Sequence, residues 1–153
     1  MEFNLKHNKH SVGQNAYHLV WKTKFSTQTF NSNSYRKVCE GAIRLVATQY
    51  GITMIEFKVM PDHVHLFVDI PQTMSVAKAL QLFKGISSRI LRRNFSFLRQ
   101  HEHLWSPGKF FRSIGNVTAD VVENYIKYSQ GSYRIPDNKL PAYYRQRKLE
   151  AFV

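Results

Sequence analysis

Two histidines that flank one apolar residue, His63-Val64-His65, are the side chains of this sequence best suited to chemistry. They belong to the run MPDHVHLFVD, which is rich in residues that favour β-strands. Because side chains alternate between the faces of a strand, both imidazoles point to one face while Val64 points into the core. Pro61-Asp62 predicts a turn that leads into this strand, which places the histidine pair at the beginning of the strand. Two adjacent imidazoles can supply two ligands of a metal site.

An isolated His-x-His pattern is also typical of surface histidines on an open strand, or of a pair that is hydrogen-bonded in a polar core. Here the strand is otherwise apolar, so an exposed pair indicates a cleft. The chain carries a second such pattern, His101-Glu102-His103, in the polar stretch LRQHEHLW. Its acidic central residue and polar neighbours favour DNA contact or a solvated loop over a second metal site.

The helix predicted at residues 119–130 contains another candidate for chemistry. Ala119, Val122 and Ile126 form its apolar stripe, and Tyr125 lies at the edge of that stripe. The Tyr125 hydroxyl could therefore emerge at a cleft and act as a nucleophile. The alternative is a tyrosine that packs at the boundary of the core.

Apolar periodicity predicts the order β-α-β-β-α-β-α for the elements that position these residues. Strands are predicted at residues 16–25, 52–60, 63–70 and 109–117, and helices at 34–50, 75–94 and 119–130. This is the split β-α-β pattern of ferredoxin-like and RRM-like folds with one added C-terminal helix. We therefore expect an α+β protein with an antiparallel sheet and helices on one face.

A single domain accounts for the length of 153 residues. Residues 1–15 are polar and expected to be irregular, residues 16–130 form the core, and residues 131–153 form a C-terminal tail. The one cysteine, Cys39, excludes an internal disulfide and a thiolate metal cluster. The sequence shows neither an apolar run long enough for a membrane span nor an apolar signal core, so we expect a cytoplasmic protein without a membrane partner.

The net charge of +12 favours a polyanionic partner, and nucleic acid is the first candidate. Residues 78–99 contain six basic and no acidic residues, so these charges have no partners within the segment. The candidate DNA-binding residues are Lys78, Lys84, Arg89, Arg92 and Arg93. All but Lys84 share the side of the predicted helix opposite its apolar face, where they would contact phosphates; a solvated face is the alternative. A ribosome-associated protein, or charge that only aids solubility, would also fit the net charge.

Four segments together resemble the small HUH-type transposases of bacterial and archaeal insertion sequences, which act on single-stranded DNA through one tyrosine. The segments are AYHLVWKTKF, MPDHVHLFVDI, LFKGISSRILRR and GNVTADVVENYIKYSQ, in the family's order and spacing from about residue 17 to residue 130. The resemblance implies that His63, His65 and a third polar side chain hold Mg²⁺ or Mn²⁺, which polarises the scissile phosphate. It also implies that Tyr125, on a C-terminal catalytic helix, attacks phosphorus to give a 5′-phosphotyrosine and a free 3′-OH. A homodimer that acts at DNA hairpins near the element's ends is implied as well.

The sequence departs from the family at the third metal ligand, which is usually Gln or Glu four residues after the tyrosine. That position is Ser129 here, and Gln130 follows it, about 140° from Tyr125 on a regular helix. We favour Gln130 as the third ligand, with a one-residue bulge in the helix that turns its side chain towards Tyr125. The alternatives are that Ser129 and a water molecule complete the metal site, or that the element has lost its activity. Tyr128 is a second possible nucleophile, but the lead-in Gly115-Asn116-Val117 aligns Tyr125 with the family's tyrosine. The family's Tyr-Arg after the first strand is also absent, because Phe25-Ser26 follows Lys24.

Other functions remain compatible with these residues. A replication-initiator-like single-strand nickase would use the same chemistry. A non-catalytic RNA- or DNA-binding module of the same fold predicts stacking aromatic residues on exposed sheet positions and makes the histidine pair incidental. A metal-dependent hydrolase that uses bound water would form no covalent adduct with DNA.

Overall fold

The computed structural model describes residues 5–114, in which a four-stranded antiparallel sheet carries two long helices. The strands are β1 (Lys6–Asn8), β2 (Ser11–Gly13), β3 (Ala16–Thr23), β4 (Thr53–Val59), β5 (His63–Asp69) and β6 (Trp105–Ser113). The helices are α1 (Asn33–Gln49), α2 (Val76–Asn94) and the short α3 (Ser96–Arg99), with single 3₁₀ turns at Lys24–Ser26 and Thr29–Asn31. The predicted helix at 119–130 and the predicted tail at 131–153 lie outside the described residues.

The main sheet has the strand order β4-β5-β3-β6, and every neighbouring pair is antiparallel. The two central strands, β5 and β3, are therefore not consecutive in sequence, and helices connect β3 to β4 and β5 to β6. This is the ferredoxin-like arrangement that the element order predicts, so the α+β fold class is confirmed.

Both long helices pack on one face of this sheet, which separates the strand residues into two groups. Leu19, Trp21, Val64 and Leu66 point towards the helices and join their apolar residues in one core. The residues that alternate with them, including His18, point to the opposite face. The two long helices therefore lie on one side of the sheet, and His63 and His65 lie on the other.

Side chains at the ends of the helices set where they begin and stop. The Ser32 hydroxyl accepts from the Tyr35 amide at the start of α1, and the Ser75 hydroxyl accepts from the Lys78 amide at the start of α2. After α1, Gly51 adopts a left-handed φ of 66°, a conformation that glycine takes without a steric penalty.

The prediction of an irregular N-terminus at residues 1–15 is wrong for residues 6–13, where β1 and β2 form a two-stranded hairpin; residues 1–4 lie outside the described residues. Tertiary contacts hold it in place. The Lys6 ammonium donates to the Asp69 carbonyl at 3.0 Å, and the Asn15 amide donates to the Asp69 carboxylate at 3.0 Å. A short polar hairpin has little apolar pattern of its own, so its sequence gives no strand signal.

Two strand boundaries also differ from the prediction. β3 ends at Thr23 rather than residue 25, because Phe25 and Ser26 have left-handed φ values of 57° and 54°. β6 begins at Trp105 rather than residue 109, and the described strand ends at Ser113 rather than residue 117. Pro107 and Gly108 look like a turn in the sequence, but an edge strand tolerates a proline on its unpaired side.

Candidate metal and DNA site

A two-residue turn delivers the histidine pair to one end of the sheet. The Met60 amide donates to the His63 carbonyl at 2.8 Å, which closes the β4–β5 hairpin around Pro61 and Asp62. His63 is therefore the first residue of β5, as the sequence predicts. The Asp62 carbonyl accepts from the Thr23 amide at 2.9 Å, so the turn is also tied to the end of β3.

The two imidazoles converge through their Nε2 atoms, which are 3.1 Å apart. Their outer nitrogens are engaged elsewhere. His63 Nδ1 lies 2.6 Å from the Asp62 carboxylate, and His65 Nδ1 lies 3.2 Å from Nε2 of His18 on β3. Partners of this kind fix the orientation of a histidine so that its other nitrogen is presented to a metal.

Burial favours the neutral form of the two buried histidines of this group, His65 and His18. Burial lowers the pKa of His65 well below its ordinary value, and coulombic interactions with the neighbouring basic side chains of His18, His63 and Lys58 lower it further. Burial, with a smaller effect of the Arg112 charge, lowers the pKa of His18 to about 3. A histidine must be neutral to bind a metal, so the environment keeps His65 ready to act as a ligand.

The spacing of the pair fits a small divalent cation. Ligands at adjacent corners of an octahedron with bonds near 2.1 Å lie about 3.0 Å apart, close to the observed 3.1 Å between the Nε2 atoms. Within residues 5–114, no three His, Cys, Asp or Glu side chains are grouped as a complete metal site. His63 and His65 can therefore supply two ligands, and further ligands have to come from elsewhere.

Three basic side chains flank the histidines on the same face of the sheet. Cross-strand pairing sets Lys22 opposite His63, Lys58 opposite His65, and Arg112 opposite His18. We call Lys22, Lys58 and Arg112 the basic rim. Positive charge beside a histidine pair that could bind a metal suits a site that receives a phosphate.

A comparison with protein families identifies the chain. The family model described as "Transposase IS200 like" matches residues 11–129, which include the whole of the four-stranded sheet and both long helices. The chain belongs to the IS200-like transposase family. Membership makes it a DNA transposase and confirms the family resemblance of its four motif segments.

Individual relatives agree with this family. The transposase of insertion sequence element IS200 from Salmonella typhimurium is 29% identical over 115 residues, which cover 73% of this chain and 74% of the relative. The ISDra2 transposase TnpA of Deinococcus radiodurans is 27% identical over 129 residues, which cover 80% of this chain and 89% of that protein.

Solved structures show the same fold. The crystal structure of a candidate transposase from Deinococcus radiodurans superposes with a TM-score of 0.66 at 26% identity, covering 83% of this chain and 99% of the other. A REP-associated tyrosine transposase bound to a REP hairpin gives a TM-score of 0.53 at 13% identity, covering 80% of this chain and 68% of that one.

The other predicted catalytic and metal-binding residues of this IS200-like transposase are Tyr125, the candidate nucleophile, and Gln130, the candidate third ligand. Both lie outside the described residues, as do the alternatives Ser129 and Tyr128. The structure therefore brings His63 and His65 together, and the roles of the other two residues stay predictions.

The predicted DNA-binding residues of α2 divide into two groups. Lys78, Arg89 and Arg93 are exposed and Arg92 is half-buried, all on the side of the helix away from the core. We call these four residues the α2 basic stripe. The Arg92 guanidinium also donates to the His101 carbonyl at 3.0 Å.

Lys84 differs from the stripe in position and in contacts. On a helical wheel it lies about 120° from Lys78, at the edge of the core face. Its ammonium donates to the carbonyls of Ser106 and Gly108 at 2.8 and 3.3 Å. Burial and the charge of Lys109 lower the Lys84 pKa. Lys84 therefore anchors β6 to α2, and a contact with DNA stays a prediction.

The second His-x-His pattern has different surroundings from the first. His101 and His103 line an open cavity of about 440 Å³ together with Lys24 and Phe25. The His103 imidazole lies 3.6 Å from the Glu102 carboxylate, and both of these side chains are exposed. These contacts agree with the interpretation of a solvated loop.

Sequence reasoning missed His18, the partner role of Asp62, and the basic rim. His18 is 47 positions from His65 in the chain, and only the β3–β5 register brings their rings together. Asp62 was visible in the sequence, but as a turn residue.

No helix within residues 5–114 is long and apolar enough to cross a membrane.

Proposed function

We propose that this IS200-like transposase cleaves and rejoins single-stranded DNA at hairpin-bearing ends of an insertion sequence, through a 5′-phosphotyrosine at Tyr125. The observation that carries the proposal is the convergence of His63 Nε2 and His65 Nε2 at 3.1 Å. Together with family membership, it favours a metal-assisted reaction on a phosphodiester. The resemblance supplies the hairpin substrate, and a protein of the same fold is solved bound to a REP hairpin.

His63 and His65 would hold Mg²⁺ or Mn²⁺, with Gln130 as the third protein ligand. The cation would neutralise the charge that grows on the scissile phosphate. The Tyr125 hydroxyl loses its proton and its oxygen forms a bond to phosphorus, while the bond from phosphorus to the 3′-oxygen breaks and the released 3′-oxygen takes up a proton. Attack by a second 3′-OH reverses these changes and frees Tyr125. The phosphodiester energy is conserved in the covalent link, so no nucleotide cofactor is required.

Two basic surfaces are available for the DNA backbone. The basic rim adjoins the histidine pair and would guide the scissile phosphate, while the α2 basic stripe would bind a second part of the substrate. The two surfaces lie on opposite sides of the sheet, so one DNA strand would have to pass round its edge or engage two copies of the chain. The resemblance implies a homodimer, and we expect that state to be the active one, in the cytoplasm where its DNA substrate lies.

The described sheet disfavours the alternative of a non-catalytic RNA-binding module. That function needs exposed aromatic side chains on the open face of the sheet. Phe67 lies on this face, but it is fully buried and its ring stacks on His18 with centroids 4.2 Å apart. Phe110, on the same face, is half-buried and meets His18 edge-on with ring centroids 5.5 Å apart, so within residues 5–114 these two phenylalanines pack on His18 rather than forming an exposed stacking platform.

The decisive experiment is capture of the covalent intermediate. The protein with Mn²⁺ and a labelled single-stranded oligonucleotide that carries the element's terminal hairpin should give an adduct that resists denaturation. Tyr125→Phe should abolish the adduct while oligonucleotide binding persists, because only the nucleophilic oxygen is lost.

Tyr128→Phe is the matched control, since it removes a tyrosine hydroxyl three positions further along the sequence and should leave the adduct intact. An adduct that survives Tyr125→Phe and disappears with Tyr128→Phe would reassign the nucleophile. Cleavage without any adduct would instead support a hydrolase that uses water.

A further inference from the structure

An open cavity of about 440 Å³ lies where the chain leaves the end of β3. Lys24 and Phe25 line one side of it, and Leu98 with residues 101–104 lines the other. Leu98 and Leu104 are buried and supply apolar surface, while the other lining side chains are polar or aromatic. A cavity of this volume falls in the range of about 300–1,000 Å³ that is typical of sites for small organic groups.

The Phe25 ring is presented to solvent by a backbone conformation that bulky residues rarely adopt. Phe25 and Ser26 have consecutive left-handed φ values of 57° and 54°, yet the Phe25 side chain is 89% exposed and gains no burial in return. The loop is closed by hydrogen bonds. The Lys24 carbonyl accepts from the Thr27 hydroxyl at 2.8 Å, and the Thr23 hydroxyl donates to the Thr27 carbonyl at 2.7 Å. A fixed, strained loop that exposes an aromatic ring is typical of a ligand site.

Hydrogen bonds place this cavity between the histidine pair and the α2 basic stripe. The Thr23 amide donates to the Asp62 carbonyl at 2.9 Å, and Phe25 follows Thr23 by two residues, a span of at most about 7 Å. In the opposite wall of the cavity, the His101 carbonyl accepts from the guanidinium of Arg92, a member of the stripe, at 3.0 Å. A DNA strand that passes round this end of the sheet from one basic surface to the other therefore crosses the cavity.

The side chains of the cavity suit one nucleotide of such a strand. Exposed aromatic rings beside cations bind single-stranded nucleic acid, because every base has a face that can stack. The Lys24 ammonium lies 5.2 Å from the centre of the Phe25 ring, so a base on Phe25 brings its phosphate near a cation. Glu102, whose carboxylate is 3.6 Å from the His103 imidazole, would repel a phosphate but can accept from the amino group of a base.

We propose that this cavity is a nucleobase subsite, in which Phe25 stacks on one unpaired base of the strand that carries the scissile phosphate. The base has to be unpaired, because a base inside a duplex is covered by its neighbours on both faces. The inference rests on the proposed function for the destination of the strand, which continues from Phe25 to the histidine pair. The subsite holds the strand where it turns round the end of the sheet.

The test combines substitutions at Phe25 with removal of single bases from the hairpin oligonucleotide. Affinities are measured by fluorescence anisotropy in EDTA, so that neither metal binding nor cleavage affects them. Phe25→Gly removes the ring and relieves the left-handed backbone, so this variant should fold at least as stably as the wild type. Phe25→Trp keeps a stacking ring, and Phe25→Leu keeps apolar bulk without one. Phe111→Leu is the matched control, since Phe111 on β6 is 53% exposed but does not line the cavity.

We expect Phe25→Gly and Phe25→Leu to weaken binding of the intact oligonucleotide about 5- to 150-fold, the range for loss of one base–aromatic stack. Phe25→Trp and Phe111→Leu should remain within a few-fold of the wild type. An abasic site at one position near the cleavage site should weaken wild-type binding by a similar factor. The same abasic site should leave the affinity of Phe25→Gly unchanged, because the base and the ring make one shared contact.

Independent losses at every abasic position would overturn the subsite, as would a Phe25→Gly protein that binds like the wild type. A change of oligomeric state in Phe25→Gly, measured by sedimentation, would also overturn it, since the cavity would then be a contact between two copies of the chain. Failure of the cleavage chemistry has a different signature. A wild type that forms no covalent adduct with Mn²⁺, but keeps the coupling between Phe25 and one base, would overturn the proposed reaction and support the subsite.

Discussion

The two candidate metal ligands, His63 and His65, have partners of different charge, and the burial of each site explains the difference. The Asp62 side chain, which contacts His63, is 28% exposed, so its carboxylate remains in contact with solvent. His65 is fully buried, and its partner is the neutral ring of His18. A carboxylate in the place of His18 would lose its hydration, which costs several kcal/mol without a full set of hydrogen bonds. A charged partner therefore stands where water can solvate it, and a neutral partner where it cannot.

We predict that removal of the Asp62 carboxylate weakens metal binding without unfolding the protein. Asp62→Ala should lower Mn²⁺ affinity 10- to 100-fold, because His63 loses the acceptor that holds its Nδ1 proton and its orientation. Asp62→Asn should fall between Asp62→Ala and the wild type, since an amide oxygen still accepts but carries no charge. The measurement is Mn²⁺ titration by electron paramagnetic resonance, with a thermal melt for each variant.

An Asp62→Ala protein that binds Mn²⁺ as the wild type does would contradict a supporting role for this carboxylate. The turn would then be its only function, because the Asp62 carbonyl still accepts from the Thr23 amide.

The sequence predicts the histidine pair but not its partner His18, because the first depends on local alternation along a strand and the second on pairing between distant strands. Alternation along a strand is local, so His63 and His65 share a face whatever the rest of the chain does. His18 joins them only through the pairing of β3 with β5, and a shift of one residue would turn it to the other face. Register is a tertiary property, and a single sequence does not specify it.

At the scale of elements, one face of α2 packs against the core and β6, and the opposite face carries basic side chains. The Ser87 hydroxyl on its inner side accepts from the Trp105 indole at 3.1 Å, and Lys84 donates to two carbonyls of β6. These hydrogen bonds fix the edge strand to the helix. The opposite side presents the α2 basic stripe, which makes no ion pair within residues 5–114.

We predict that the α2 basic stripe contributes to DNA binding through phosphates. Arg89→Gln combined with Arg93→Gln should weaken binding of a single-stranded oligonucleotide at low salt. The slope of log K against log salt concentration should fall by about 1.4, at about 0.7 for each phosphate that the protein no longer neutralises. Fluorescence anisotropy at several salt concentrations measures both quantities.

The matched control removes two exposed cations from the other long helix, Lys37→Gln with Arg44→Gln, and should leave the slope unchanged. Equal slopes for both double variants would mean that the stripe is only a solvated face. A lower slope for Lys22→Gln with Lys58→Gln would identify the basic rim as a phosphate-binding surface.

Element boundaries show where local patterns give way to tertiary contacts. The apolar period of α2 and its Ser75 cap are local, and the helix lies where they predict. β6 begins at Trp105 because its indole reaches Ser87 and its backbone pairs with Thr23, and neither interaction is visible in the sequence PGKFF. The N-terminal hairpin likewise depends on Asp69, more than 50 residues away.

At the scale of the whole molecule, one core unites both helices with the inner face of the sheet, and Cys39 of α1 lies fully buried within it. Burial raises the pKa of the Cys39 thiol, and the charge of Glu40 raises it further. The thiolate is the reactive form of cysteine. The folded protein therefore protects Cys39 in two ways, because burial keeps reagents away from the sulfur and the raised pKa keeps the thiol protonated. Its reactivity can therefore report on unfolding of the core.

We predict that a thiol reagent modifies Cys39 only through the unfolded chain. At a net stability of about 5 kcal/mol or more, the rate should be at least about 1,000-fold below that of the protein in urea. As pH rises from 7 to 9 the rate should increase, because the unfolded thiol ionises near its ordinary pKa of about 8.5. A change in stability over this pH range is controlled for by urea melts at each pH.

This labelling rate also connects the core to the histidine pair. A cation that binds only the folded chain stabilises it by RT ln(1 + [M]/Kd), so Mn²⁺ at 100 times Kd should slow Cys39 labelling by about 100-fold. The same Mn²⁺ concentration should slow labelling much less in Asp62→Ala, because weaker binding gives less stabilisation. Labelling that is fast without urea would show that the thiol is reached by local opening of α1. Labelling that Mn²⁺ leaves unchanged, in a protein shown to bind the ion, would mean that the cysteine is exposed by an opening that keeps the metal site intact.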